Sequence, residues 1–239
     1  MGTRLFAAVY PPQEALDEAA GLLDQVRAET GIGLRWLPIN QWHITCAFYG
    51  EVPAGTGQDL DTALAYLAND IPSFELSLSG AGQFGERTLW LGVRGAGEET
   101  LKRLARESID AGLGLGIELG PERSFTPHLT VARRSVRGRF RDRQAERGYR
   151  RQLRQARKHG TEDDVSPPVL GTDEMGFAVH ALSVFRGRTF TVNEFCLVES
   201  ELGTGPGGGA HHNVLHRYPL RGAARDQGQH NGDNGHLEG

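Results

Sequence analysis

The sequence predicts an α+β fold of two similar lobes, each a mainly antiparallel sheet backed by helices, facing each other across a groove. Two observations carry that expectation. Strand-like and helix-like periodicities alternate along the chain, and the alternation occurs around each of two matched strings, His43-Ile44-Thr45-Cys46-Ala47 and His128-Leu129-Thr130-Val131-Ala132. Side chains of an extended strand alternate between faces, so each string sets an imidazole and a hydroxyl on one face and apolar groups on the other. Antiparallel sheets can leave one face open, which is what such a polar face requires.

The elements follow in order. Arg4 to Val9 reads as a strand. Pro11-Pro12 then opens a helix to about Thr30, with Leu16, Ala19, Ala20, Leu23 and Val26 at helical spacing. The first His strand occupies about residues 42–49, and a second helix about Gln58 to Asn69, with Leu60, Leu64 and Leu67 on one stripe. Phe74 to Leu78 and Thr88 to Val93 alternate as a strand pair joined by a glycine-containing turn. Glu98 to Ala111 makes a third helix, and the second His strand comes next. Phe190 to Val198 and Val214 to Leu220 supply the remaining strands, which makes the lobes discontinuous in sequence.

Composition bounds the class. At 239 residues and 38% apolar content the chain can bury a substantial core. No apolar run approaches the ~18 residues of a membrane span, and the N-terminus lacks a signal peptide's regions, so a cytoplasmic, monomeric protein without membrane contact is expected. Cys46 and Cys196 are too few for a disulfide framework and read as buried thiols.

Two imidazoles facing one cleft can serve as general acid and general base. The matched hydroxyls of Thr45 and Thr130 can donate to oxygens on which charge builds. Their surroundings extend the pattern. Trp36-Leu37-Pro38 leads into the first string, and Phe125-Thr126-Pro127 into the second, which Arg133 follows. With the opening Arg4 to Val9 and the closing Val198-Glu199-Ser200-Glu201-Leu202, these segments resemble the two-histidine (2H, H-x-T-x) phosphoesterase superfamily. The best match within it is the bacterial RNA 2′,3′-cyclic phosphodiesterase branch, also called 2′-5′ RNA ligase. The likeness covers about residues 3–134 and 176–220.

That resemblance implies pseudo-symmetric lobes with the active site in the groove between them, a topology that periodicity alone does not give. It also implies a metal-independent phosphodiesterase without cofactor, opening RNA 2′,3′-cyclic phosphate ends to a 2′-phosphate, with 2′-5′ ligation as the reverse step. His43 and His128 would be catalytic, and Thr45, Thr130 and Arg133 would bind substrate. In the family's usual assignment His43 protonates the 3′ oxygen and His128 activates water; the residues themselves leave the two roles open. Arg133 suits a phosphate, yet strict alternation puts it on the Leu129 face unless the strand bulges. Two alternatives stand beside this reading. One is a cyclic phosphodiesterase acting on a small nucleotide such as ADP-ribose cyclic phosphate; the other is a non-catalytic RNA-binding module.

Such a module would use the segment that departs most from the family. From Arg133 to Lys158 there are 12 Lys or Arg against 2 acids, while the rest of the chain carries 14 bases and 28 acids. Helix propensity is good from Arg139 to Lys158. The segment reads either as an RNA-backbone clamp or as a solvated insertion answering the acidic body. The expected organisation is a bilobal domain at 1–220, with a basic insertion at about 135–170 and a disordered tail at 221–239. Gly207 to Gly209 poorly suit a phosphate loop because a strand follows. His211, His212 and His216 lack zinc-site spacing, so no metal is expected; His212 stands where the family often has Tyr.

Overall fold

The computed structural model describes residues 2–30, 33–120, 124–168, 170–205 and 209–222, without the side chains of residues 137 and 171–173. Strands β1 (Gly2–Val9), β2 (Leu34–Trp36), β3 (Ile44–Pro53), β4 (Phe74–Phe84) and β5 (Thr88–Arg94) precede β6 (His128–Arg134), which carries the second His string. β7 (Arg186–Val192), β8 (Glu194–Gly205) and β9 (Gly209–Pro219) follow. The helices are α1 (Gln13–Glu29), α2 (Ala54–Asp70), α3 (Glu98–Gly114), α4 (Val136–His159) and α5 (Gly171–Leu182).

The strands run β7-β4-β5-β6-β3-β1-β8-β9, with β2 also paired to β6. All these ladders are antiparallel. Two four-strand halves meet at the centre, where β3 and β6 are joined by the single pair Ile44–Leu129. About that junction β6 corresponds to β3, β5 to β1, β4 to β8 and β7 to β9. Both His strings therefore lie on the innermost strands, held at one point and free to diverge beyond it.

The helices exchange halves. α1 joins β1 to β3 yet packs on β7 and β4 of the opposite half; α3 joins β5 to β6 yet packs on β3. Ala15, Leu16, Ala19, Leu23 and Val26 form α1's buried face, as the spacing predicts. α3 opens with Glu98 and Glu99, favourable at a helix N-terminus, and buries Leu101, Leu104, Ala105 and Ser108. At Gly112 a Cβ would stand 2.9 Å from the Tyr49 ring, so this helix needs glycine to approach β3. α2 and α5 take equivalent places on the two halves, following β3 and β6. α4 stands between β6 and α5 and has no counterpart in the other half.

One core cluster runs through both halves and includes Ile44 and Leu129, each fully buried. Truncating either to Ala is expected to cost about 2–5 kcal/mol. On the other face of β1 a small cluster of Phe6, Ala8, Cys196 and Val198 supports the floor near His43. Cys46 and Cys196 are buried, and burial pushes the Cys46 thiol up to about 12, which keeps it protonated.

Several expectations change. The run Phe190 to Val198 is two strands, because the chain crosses from one half to the other at Asn193: β7 pairs with β4, and β8 with β1. β2 and α5 were not anticipated, although Met175, Ala178 and Leu182 of α5 are fully buried at helical spacing. The basic segment begins as the helix α4, which starts at Val136, three residues before the stretch of good helix propensity. Ser135 caps α4 by accepting from the Gly138 N–H at 2.7 Å, and Gly160 ends it in the left-handed region at φ 70°. Of the tail, Arg221 bridges Pro72, while residues 223–239 lie outside the described residues, as do 206–208 of the glycine loop.

Candidate active site

Each His string is anchored in the same way. His43 Nδ1 lies 2.8 Å from the Gln41 carbonyl oxygen, and His128 Nδ1 lies 2.7 Å from the Thr126 carbonyl oxygen. A carbonyl only accepts, so in both rings Nδ1 carries the proton and Nε2 is the nitrogen left for chemistry. His43, Thr45, His128 and Thr130 are half-buried, whereas Ile44, Cys46, Leu129 and Val131 are buried. The alternation places each imidazole on the same face as its hydroxyl. Neither hydroxyl has a hydrogen-bond partner among the described residues.

A bulge decides the position of Arg133. Trp90 pairs with Thr130 but Leu89 pairs with Ala132, so Val131 is an extra residue on β6. Val131 and Ala132 are buried in succession, the alternation inverts, and the exposed Arg133 rejoins the His128 and Thr130 face. β3 repeats the device: Ala8 pairs with Thr45 and Ala7 with Ala47, which makes Cys46 the extra residue and brings Phe48 to the place of Arg133. The Arg4 guanidinium sits 4.5 Å from the centre of the Phe48 ring. Both halves thus carry a cation beyond their His-Thr pair.

Arg133 also has a neighbour that the sequence did not suggest. Arg35 of β2 is its direct cross-strand partner, and neither guanidinium has an acidic partner among the described residues. Like charges directly opposite destabilise a sheet. Partial desolvation of the guanidinium, although the residue is exposed, and then the facing Arg35 lower the Arg133 pKa, a strain that an anion would relieve.

Aromatic rings wall both histidines. Phe6 and Tyr10 lie 4.9 and 5.8 Å from the His43 ring centre; Phe84 stands edge-on 4.7 Å from His128, with Trp90 at 6.2 Å. His212 completes the His43 side, its ring 5.0 Å away and near-perpendicular. It is brought there by the β8–β9 hairpin, which Gln41 ties down by donating to the Ala210 carbonyl at 2.9 Å. His212 Nδ1 is buried without a hydrogen-bond partner among the described residues.

These surroundings disfavour charge on both imidazoles. Burial, then the positive charge of His212, pulls His43 from 6.5 to about 4 against the opposing Gln41 carbonyl; His128 and Arg133 act weakly in the same direction. Burial lowers His128, opposed by the Thr126 carbonyl. His43 therefore shares one electrostatic neighbourhood with His128, His212 and Arg133. A cavity of about 400 Å³ lined by Tyr49, Glu51, Thr56 and Ile117 is separate from the site and includes neither histidine.

His211, His212 and His216 do not converge. His216 faces Asp61 at 3.5 Å and stacks on Tyr218, away from the His212–His43 contact. Among the described residues no three His, Cys, Asp or Glu side chains group closely enough to hold a metal. Arg35, Phe84 and Gln41 are the site residues that the sequence reading passed over, while His212, singled out there as standing where the family often has Tyr, comes to the site as a ring against His43.

Comparison with known proteins agrees with this architecture. The chain is 42% identical over 103 residues to an RNA 2′,3′-cyclic phosphodiesterase of Geobacillus stearothermophilus, a match spanning 41% of this chain and 32% of the relative. It is 30% identical over 151 residues to the protein of that name from Methanothermobacter thermautotrophicus, covering 61% of this chain and 78% of the relative. In fold it resembles the crystal structure of a Thermus thermophilus protein, TT0787, with a TM-score of 0.60 at 25% identity over 92% of this chain and 100% of the other. The family model described as the 2′-5′ RNA ligase superfamily matches residues 12–159, which include both His-Thr strings, their bulges and Arg133. A match to more than half of the chain that takes in both strings makes this protein a member of the 2′-5′ RNA ligase superfamily, the two-histidine phosphoesterases.

Proposed function

We propose that this protein hydrolyses the 2′,3′-cyclic phosphate at RNA ends to a 2′-phosphate, without a metal, using His43 and His128 as the proton-transfer pair. The observation that carries the reading is the matched anchoring of two imidazoles by backbone carbonyls, each presenting Nε2 beside a threonine hydroxyl on one sheet face. One imidazole takes a proton from the attacking water. The new P–O bond forms as the P–O3′ bond breaks, and the other imidazole gives its proton to the departing 3′ oxygen. Thr45 and Thr130 donate to the non-bridging oxygens, and Arg133, with Arg35 opposite, offers charge to the phosphate. With an RNA 5′-hydroxyl attacking in place of water, the same step forms a 2′-5′ linkage.

The acid role has an electrostatic condition. Both rings favour the neutral form, His43 drawn down to about 4 by burial and then by His212, and His128 lowered by burial. A bound phosphate anion stabilises an adjacent imidazolium and raises its pKa. If His43 is the acid, as the family assignment has it, substrate binding supplies the charge that makes it one. The names of the relatives support the choice of substrate.

The test is to incubate EDTA-treated protein with RNA ending in a 2′,3′-cyclic phosphate and to identify the product. A 2′-phosphate formed at the untreated rate is expected. A 3′-phosphate, or no turnover, contradicts the proposal.

A further inference from the structure

We infer that one face of α4 binds the phosphate backbone of single-stranded RNA, holding the strand outside the groove while its cyclic end is processed. Arg143, Arg147, Arg150, Arg154 and Arg157 recur at intervals of four and three residues. At 100° per residue they fall within an arc of about 80° and extend for about 21 Å along the helix. All five are exposed, with the equally exposed Arg151 and Lys158 beside the stripe. The only acid between 143 and 158, Glu146, falls outside the arc.

The opposite side of α4 explains why the stripe is available. Arg141 there pairs with Glu174 at 2.9 Å, and Asp142, nearly fully buried, holds Arg134 of β6. Ala156 is buried, with Tyr149 and Leu153 partly so. The acidic body therefore answers the inner cations, whereas the five stripe arginines have no acidic partner among the described residues. Like charges three and four residues apart destabilise a helix, so the stripe carries a cost that an anionic partner removes.

Shape and position favour RNA among anionic partners. A helix that lies on a membrane buries an apolar face in it, but the apolar residues of α4 are used against the protein. A single strand laid along a stripe of this length sets several successive phosphates against the arginines. The first turn of α4 also lies close to the site. The Gly138 turn of α4 rests on the Gly33 backbone, two residues before the Arg35 that faces Arg133. This inference rests on the proposed RNA-end activity for its biological sense, but its test does not.

The experiment measures affinity for a long single-stranded RNA against salt, for wild type, the fivefold Arg→Gln variant of the stripe and the pair R147Q/R154Q. Glutamine keeps helix propensity while removing charge. Each lost phosphate contact should flatten the slope of log affinity against log salt by about 0.7, so roughly 3.5 for five contacts and about 1.4 for the pair. Turnover of a 2′,3′-cyclic mononucleotide, which cannot reach α4 from the groove, should hold. Unchanged slopes in both variants overturn the inference, whatever the catalytic result. Tight binding of phosphatidylserine vesicles with no salt-dependent RNA binding overturns it in favour of a membrane. Flattened slopes in a protein that hydrolyses no cyclic phosphate support the surface and reject the proposed activity.

Discussion

The rings of His43 and His212 lie 5.0 Å apart with an interplanar angle of 79°. His212 comes from β9, at the far end of the sheet path from β6, and its charge is second only to burial in depressing His43. H212F keeps an aromatic ring against Phe6 and removes that charge. His43 should then titrate above 4 but still below 6.5, since burial remains. An NMR titration of the imidazoles reads the shift; an unmoved His43 would show that burial alone sets its proton affinity.

Rate against pH should be bell-shaped, with a direction fixed by the same groups. Burial lowers both histidines, so kcat/KM, which reports the free enzyme, should peak below pH 6.5. Bound phosphate raises both, and the kcat profile should lie at higher pH than the kcat/KM profile. Coincident profiles would mean that substrate does not recharge the pair.

Arg133 shares the His128 face because of the extra residue Val131, and R133A should raise KM more than R133K, which keeps charge but loses the planar fork. R35A should weaken substrate binding in the same direction, because the cross-strand guanidinium pair is then halved. Steady-state kinetics on a cyclic nucleotide decide both. Wild-type KM in R133A would mean that the bulge turns this side chain towards solvent only.

Gly82 lies against the indole of Trp90, whose ring atoms would stand 2.3–2.9 Å from an added Cβ. G82A should therefore push Trp90 towards Phe84 and His128, at an overpacking cost of about 1–3 kcal/mol. Urea denaturation should show the loss, and turnover should fall with it. Undiminished stability would mean that the β4–β5 hairpin gives way without strain.

Much of the site was legible because a strand converts spacing into facing. His43 with Thr45, and His128 with Thr130, needed only period-two alternation to be placed together. The bulges left a signal too: Cys46-Ala47 and Val131-Ala132 are adjacent apolar pairs where alternation calls for one polar residue. Arg35 was not legible, since β2 is only three residues long and its partner is almost 100 residues away. His212 was singled out by its position, but not its contact with His43, which depends on a hairpin docked through Gln41 and Ala210. In α4 the excess of charge was plain from composition, but its meaning lies in phase: five arginines on one line, with Arg141 and Asp142 turned inward.

The central claim is that two carbonyl-anchored imidazoles perform the proton transfers. Its most direct test is the turnover of a 2′,3′-cyclic nucleotide by wild type, H43A and H128A in the presence of EDTA. Each variant should be slower by about 10²- to 10⁴-fold, the loss typical of general acid–base groups, while retaining the wild-type fold by circular dichroism. Full activity in either variant would contradict the account.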